Sequence, residues 1–79
     1  MQSRFFIMKI MEFQLREGEE FIQLTQLLKA VGIAENGAMA GQMVVDGLVM
    51  LNGQVESRKR AKIRRGDVIS IFEEEIKIK

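Results

Sequence analysis

Cysteine, histidine, tyrosine, tryptophan and proline are all missing from this 79-residue chain. Without cysteine, neither a disulfide framework nor a zinc–thiolate site can supplement the core. Without histidine, the chain lacks the usual general base near neutral pH and the commonest metal ligand. The strongest stacking side chains go with tyrosine and tryptophan, which leaves five phenylalanines as the whole aromatic content. There is no proline, no internal repeat and no linker long enough to separate a pair of domains, so one small domain is expected. Long apolar runs are missing too. None approaches about 18 residues, so no membrane-spanning helix is expected.

The opening MQSRFFIMKIM looks at first like a signal peptide, but Lys9 interrupts its apolar stretch and no small-residue cleavage site follows. Residues 1–11 are therefore expected to be a flexible N-terminal extension, with Met8 or Met11 able to open the domain proper, and residues 12–79 to be that domain. The product is expected in the cytoplasm.

What is present is a globular composition with an uneven charge. Hydrophobic residues make up 47% of the chain, too many for a disordered basic tail. A chain of this size buries only roughly 60% of the surface exposed when unfolded, so its stability will be modest. The formal net charge of +1 hides a polarity. Arg58 to Arg65 reads RKRAKIRR and holds six of the twelve basic residues, while the rest sets six cations against eleven carboxylates. Such clustering makes one place attractive to a polyanion.

Periodicity supplies the elements. Glu12 to Arg16 alternates polar and apolar, with Phe13 and Leu15 on one side, as a half-buried strand does. Arg16-Glu17-Gly18-Glu19 reads as a turn. Leu24, Leu27, Leu28 and Val31 then fall at helical spacing, and Phe21 extends the stripe one turn back. This predicts a helix over Glu20–Val31, with Gly32 as its C′ residue. Asn36 is a good N-cap for a second helix of about ten residues ending at Gly47, with Ala40, Met43 and Val44 turned inward. Gly41 inside that helix suggests close helix–helix packing; the alternative is a bare backbone that admits a phosphate.

After Gly47 the period becomes two. Val49 and Leu51 face one way, and Asn52-Gly53 supplies the positive-φ residues of a type I′ hairpin turn into Gln54-Val55. The basic run follows, Gly66-Asp67 turns the chain into Val68–Phe72, and Glu73 to Glu75 read as an acidic bend before a strand carrying Ile76 and Ile78. The expected architecture is α+β, a helix pair packed on a small, mainly antiparallel sheet of short strands.

Two apolar residues inside the basic run carry meaning. Ile63 and Ala61 can anchor the segment to the core while Arg58, Lys59, Arg60, Lys62, Arg64 and Arg65 point outward. Arginine forks suit phosphate oxygens, and lysine supplies point charge. Neutralising five or six phosphates gives a logarithmic salt slope of roughly −3.5 to −5. A solvated surface balanced by Glu17, Glu19, Glu20 or Glu73 to Glu75 is the competing reading. Exposed pairs contribute only about 0 to 1 kcal/mol each, a weak reason to gather six cations.

Leu24, Leu27, Leu28 and Lys29, then Gly47, Val49, Asn52, Gly53, Val55, Glu56, Arg58, Lys62, Gly66, Asp67 and Ile69 form an ordered pattern. It resembles that of the ribosomal-protein-S-four-type RNA-binding domain, also called the alpha-L motif. The likeness covers about residues 12–79 and is nearest to the small stand-alone bacterial members, the YbcJ- and YaaA-like proteins. It implies a compact domain gripping structured RNA with its helix pair and the following basic loop. Carried over by position, it points to Lys29, Arg58, Lys59, Arg60, Lys62, Arg64 and Arg65. Relatives often carry Lys or Arg in the second helix, whereas Asn36 to Asp46 contains no basic residue. The amides of Gly37 and Ala38 at its N-terminus offer a phosphate contact instead.

Other residue types carry less. Asp46, Glu56 and Asp67 fall at turns, where capping is the default role. Thr25, Ser57 and Ser70 have no histidine to activate them, so an enzyme is the least supported class. Phe13, Phe21 and Phe72 fit apolar faces and are read as core, while Phe5 and Phe6 fall in the extension. A core position explains Met43, and Met39 and Met50 remain open. The expected function is non-catalytic binding of structured RNA, ribosomal RNA or another large folded RNA, with ribosomal particles among the partners. No cofactor, metal, membrane or small-molecule substrate is expected. A protein-interaction adaptor using its acidic and basic faces is the alternative.

Overall fold

A computed structural model describes residues 9–79. The elements in chain order are β1 (Lys9–Phe13), β2 (Ile22–Gln23), α1 (Leu24–Ala30), α2 (Gly37–Val45), β3 (Val49–Leu51), β4 (Gln54–Val55), β5 (Lys62–Ile63), β6 (Val68–Ile71) and β7 (Glu74–Ile78). Five strands form one sheet in the order β1-β7-β6-β3-β4, and β2 pairs with β5 in a separate ribbon. Among the described residues every pairing is antiparallel except β1 with β7. The expected α+β class, two helices with a mainly antiparallel sheet of short strands, is what the chain adopts.

Alternation and helical spacing meet in one core. Ile69 and Ile71 of β6 and Ile76 and Ile78 of β7 point inward with Val49. They join Leu24, Leu27 and Leu28 of α1 and Ala40, Met43 and Val44 of α2 in a single cluster. The Asn36 side chain caps α2, its Oδ1 accepting from the Met39 N–H at 2.8 Å. Asn52 and Gly53 have φ of 51° and 88°, the two positive values that a type I′ turn requires.

Four expectations are corrected. The first strand is Lys9–Phe13 rather than Glu12–Arg16, because these residues lie in parallel register with Glu74–Ile78 of β7. Lys9 to Met11 thus belong to the sheet rather than to an extension. The first helix starts at Leu24, four residues later than its apolar stripe suggests, because the backbone of Ile22 and Gln23 pairs with Ile63 and Lys62. The last bend is the two residues Phe72-Glu73, with Phe72 at φ 56°, so Glu74 and Glu75 lie in β7. Phe72 is consequently 62% exposed and not core. Phe13 packs partly buried against the core, Met39 and Met50 are exposed, and Phe5 and Phe6 lie outside the described residues.

Candidate nucleic-acid interface

The basic segment is held from several directions. Its middle makes a turn in which the Ala61 N–H donates to the Arg58 carbonyl at 3.2 Å. Helix α1 begins after Gln23, whose side chain makes no capping bond. Two of the four orphan amides that every helix start leaves are taken up by the loop instead. Leu24 N–H donates to the Ala61 carbonyl at 2.9 Å, and Thr25 N–H to the Lys59 carbonyl at 3.2 Å. Ile63 and Ala61 are 0% and 4% exposed, so the expected anchor exists. Burying a side chain such as Ile63 contributes about 1.5–3 kcal/mol. At the exit, Asp67 Oδ2 accepts from the Arg64 N–H at 2.7 Å. These bonds and the buried Ile63 tie the loop to α1, to the core and to the Gly66-Asp67 turn.

That anchoring sorts the cations. Arg58, Arg60, Lys62 and Arg64 line one cleft of about 410 Å³. Arg58 also forks onto Glu56, with Nε to Oε2 at 3.0 Å and Nη2 to Oε1 at 3.1 Å. Hydrogen bonding from Arg58 holds the Glu56 carboxyl below the ordinary range, and the same pair raises the Arg58 guanidinium. The Arg58 side chain is nonetheless 76% exposed. Among the described residues it is the only one of the six loop cations in an ion pair. The balanced-surface reading is therefore not what the loop shows.

Arg65 turns back into the protein. Its guanidinium donates to the carbonyls of Glu19 at 2.7 Å, Arg16 at 3.1 Å and Leu15 at 3.5 Å, clamping the Arg16–Glu19 turn. Lys29 is exposed near the end of α1 and lines a different hollow from the arginines. Gly37 and Ala38 are exposed at the start of α2.

A family model described as the S4 domain matches residues 13–79. The chain belongs to the S4 domain family. It is 43% identical over 49 residues, 62% of its own length and 70% of theirs, to "Putative RNA-binding protein YbcJ" of Escherichia coli (strain K12) and to YbcJ of Shigella flexneri. The solution structure of Escherichia coli YbcJ, described as revealing an alfaL motif involved in RNA binding, superposes with a TM-score of 0.62. That match has 31% identity and covers 99% of this chain and 95% of the other.

In this S4 domain the second helix has no cation of its own, yet one lies on it. The Lys59 stem crosses α2 at Gly41, where an added Cβ would meet Lys59 Cδ at 3.3 Å and Cε at 3.4 Å. Gly41 therefore accommodates a lysine stem, and the helix–helix packing expected for it is corrected. The bare backbone lets the loop lend its charge to the helix. Two further residues escaped the sequence reading. Glu56, two positions before Arg58, is the loop's internal counter-charge, and its spacing was the available signal. Phe21 is only half-buried, with Lys62 Nζ 5.0 Å from its ring centroid, a cation–π contact. Its place in the apolar stripe hid this, because β2 interrupts the helix there.

Proposed function

We propose that this S4-domain protein binds structured RNA without catalysis, in the cytoplasm, with ribosomal RNA or another large folded RNA as its target. One observation carries the reading: a loop pinned by buried Ile63 and Ala61 presents Arg58, Arg60, Lys62 and Arg64 around a single cleft. Lys59 widens that surface across α2, and Lys29 and the Gly37 and Ala38 amides extend it. Arg65 contributes by holding the loop's base. Kinship with YbcJ supports RNA as the polyanion. Long cations on a rigid frame recognise phosphate spacing and groove shape better than base edges, so structured RNA should be favoured over a particular sequence. Thr25, Ser57 and Ser70 have no histidine in the chain to activate them, which supports a binding role over an enzymatic one.

The test is a titration against a fluorescent stem-loop RNA and a DNA hairpin of the same sequence. Charge reversal at Arg60 or Arg64 should weaken RNA binding at least several-fold while leaving the circular dichroism spectrum unchanged. Equal affinity for RNA and DNA would replace the RNA reading with a general nucleic-acid one. Wild-type affinity in both reversal variants would refute the assigned surface. Co-sedimentation with ribosomal particles that ribonuclease abolishes would identify the particles as the partner; a complex surviving ribonuclease would favour a protein adaptor.

A further inference from the structure

A second hollow, of about 710 Å³, opens beside the basic cleft, and phosphate binding alone gives it no task. Phe21 lines it with Gln14, Gln23, Gln26, Arg16 and Lys29. The two hollows meet at one pair of side chains, because Lys62 lines the basic cleft while its Nζ stands 5.0 Å from the Phe21 ring centroid. A strand held along the arginines that continues past Lys62 therefore reaches the half-buried Phe21 ring.

The wall chemistry narrows the occupant. Among the described residues Glu19 is the one carboxylate lining the hollow, and its Oε1 is engaged by the Arg16 N–H at 2.8 Å. Arg16 and Lys29 line the same space, and the Arg65 guanidinium sits against the Arg16 and Glu19 carbonyls behind it. The charge balance is positive. Each glutamine offers a carbonyl acceptor and an amide donor, the pairing that base edges also carry. An apolar peptide would leave three amides unmatched, and a simple anion would leave the ring unused. A nucleotide uses all three features.

We propose that this hollow receives one unpaired nucleotide of the RNA held by the basic cleft. Its base stacks against Phe21, glutamine amides meet its edge, and Lys29 or Arg16 takes its phosphate. Unpaired bases are the parts of folded RNA that aromatic side chains can reach, and stacking tolerates any base. The inference rests on the RNA-binding reading and adds a preference that the cations alone do not supply.

The experiment compares a blunt RNA duplex with the same duplex bearing a single bulged 2-aminopurine. Wild-type protein should prefer the bulged form, and the fluorophore should be quenched on binding. Phe21→Leu keeps the apolar contacts and should lose the preference, on the order of 10- to 100-fold for one stacked base, with any change in duplex affinity well below that. Phe21→Tyr should retain preference and quenching, and Gln26→Ala, at an exposed position, should alter which bulged base is preferred. Equal wild-type affinity for both duplexes, or a preference that survives Phe21→Leu, overturns the nucleotide site and leaves the basic cleft standing. Binding of neither RNA overturns the RNA reading itself and this site with it.

Discussion

Asn52 Nδ2 donates to Asp67 Oδ1 at 3.0 Å, joining two turns that lie 15 residues apart in the chain. Asn52 Oδ1 in turn accepts from the Val68 N–H at 2.8 Å, and the other Asp67 oxygen holds the Arg64 amide. The β3–β4 hairpin and the exit of the basic loop are thus one hydrogen-bonded unit. Asp67→Ala should destabilise the fold by about 1–2 kcal/mol, since it removes two charge-assisted bonds at an exposed site. Asn52→Gly keeps the positive φ without the side chain and should cost about 1 kcal/mol. Urea titration checks both. In the double variant the losses should be less than additive, because the Asn52–Asp67 bond is shared.

Gly41 and Lys59 make a prediction of opposite sign. Gly41→Ala gains helix propensity of up to about 1 kcal/mol. The new methyl needs only a shift of a flexible lysine stem, so the melting temperature should rise. Gly41→Leu fills the place of that stem and should reduce RNA affinity as Lys59→Gln does. Combining the two should add nothing further, which a binding cycle measures.

Arg65 and Arg60 should separate stability from binding. Arg65→Ala removes the donors to the Leu15, Arg16 and Glu19 carbonyls, and its loss should cost about 1 kcal/mol in urea while leaving the salt dependence of RNA binding unchanged. Arg60, among the cleft-lining cations, makes no hydrogen bond or ion pair among the described residues. Arg60→Ala should leave stability within about 0.5 kcal/mol and flatten the salt dependence.

Acid should weaken the loop through Glu56. Its folded carboxyl titrates below its unfolded one, chiefly because of the Arg58 hydrogen bond. The resulting stabilisation is present above the unfolded value and fades as pH falls through the folded one. The stability difference between wild type and Glu56→Gln should therefore be larger at pH 7 than at the acid end of the carboxylate range. At neutral pH the same substitution releases Arg58 and removes a negative charge, so RNA affinity should rise a few-fold.

Much of this was legible in the chain. Ile63 within RKRAKIRR marked the anchor, Asn36 the cap and Asn52-Gly53 the hairpin, because each acts through near neighbours. The misplaced features depend on distant partners. The start of α1 is decided by carbonyls of Lys59 and Ala61, and β1 by its parallel partner β7. Phe21 fits the leucine stripe at helical spacing, so only the β2–β5 ribbon shows that it leaves the core. No local pattern records that a lysine 18 residues on lies across Gly41.

The most direct test is the salt dependence of binding to a stem-loop RNA. Arg65 is occupied by backbone carbonyls and Arg58 is shared with Glu56, which leaves Lys59, Arg60, Lys62 and Arg64 as the full phosphate contacts of the basic loop, Lys29 lying in the neighbouring hollow. Four such contacts predict a slope of log K against log salt of roughly −2.8 to −3.6, falling by about one contact in Arg60→Ala and not at all in Arg65→Ala. A slope near zero, or one that Arg65→Ala changes and Arg60→Ala does not, would contradict the account.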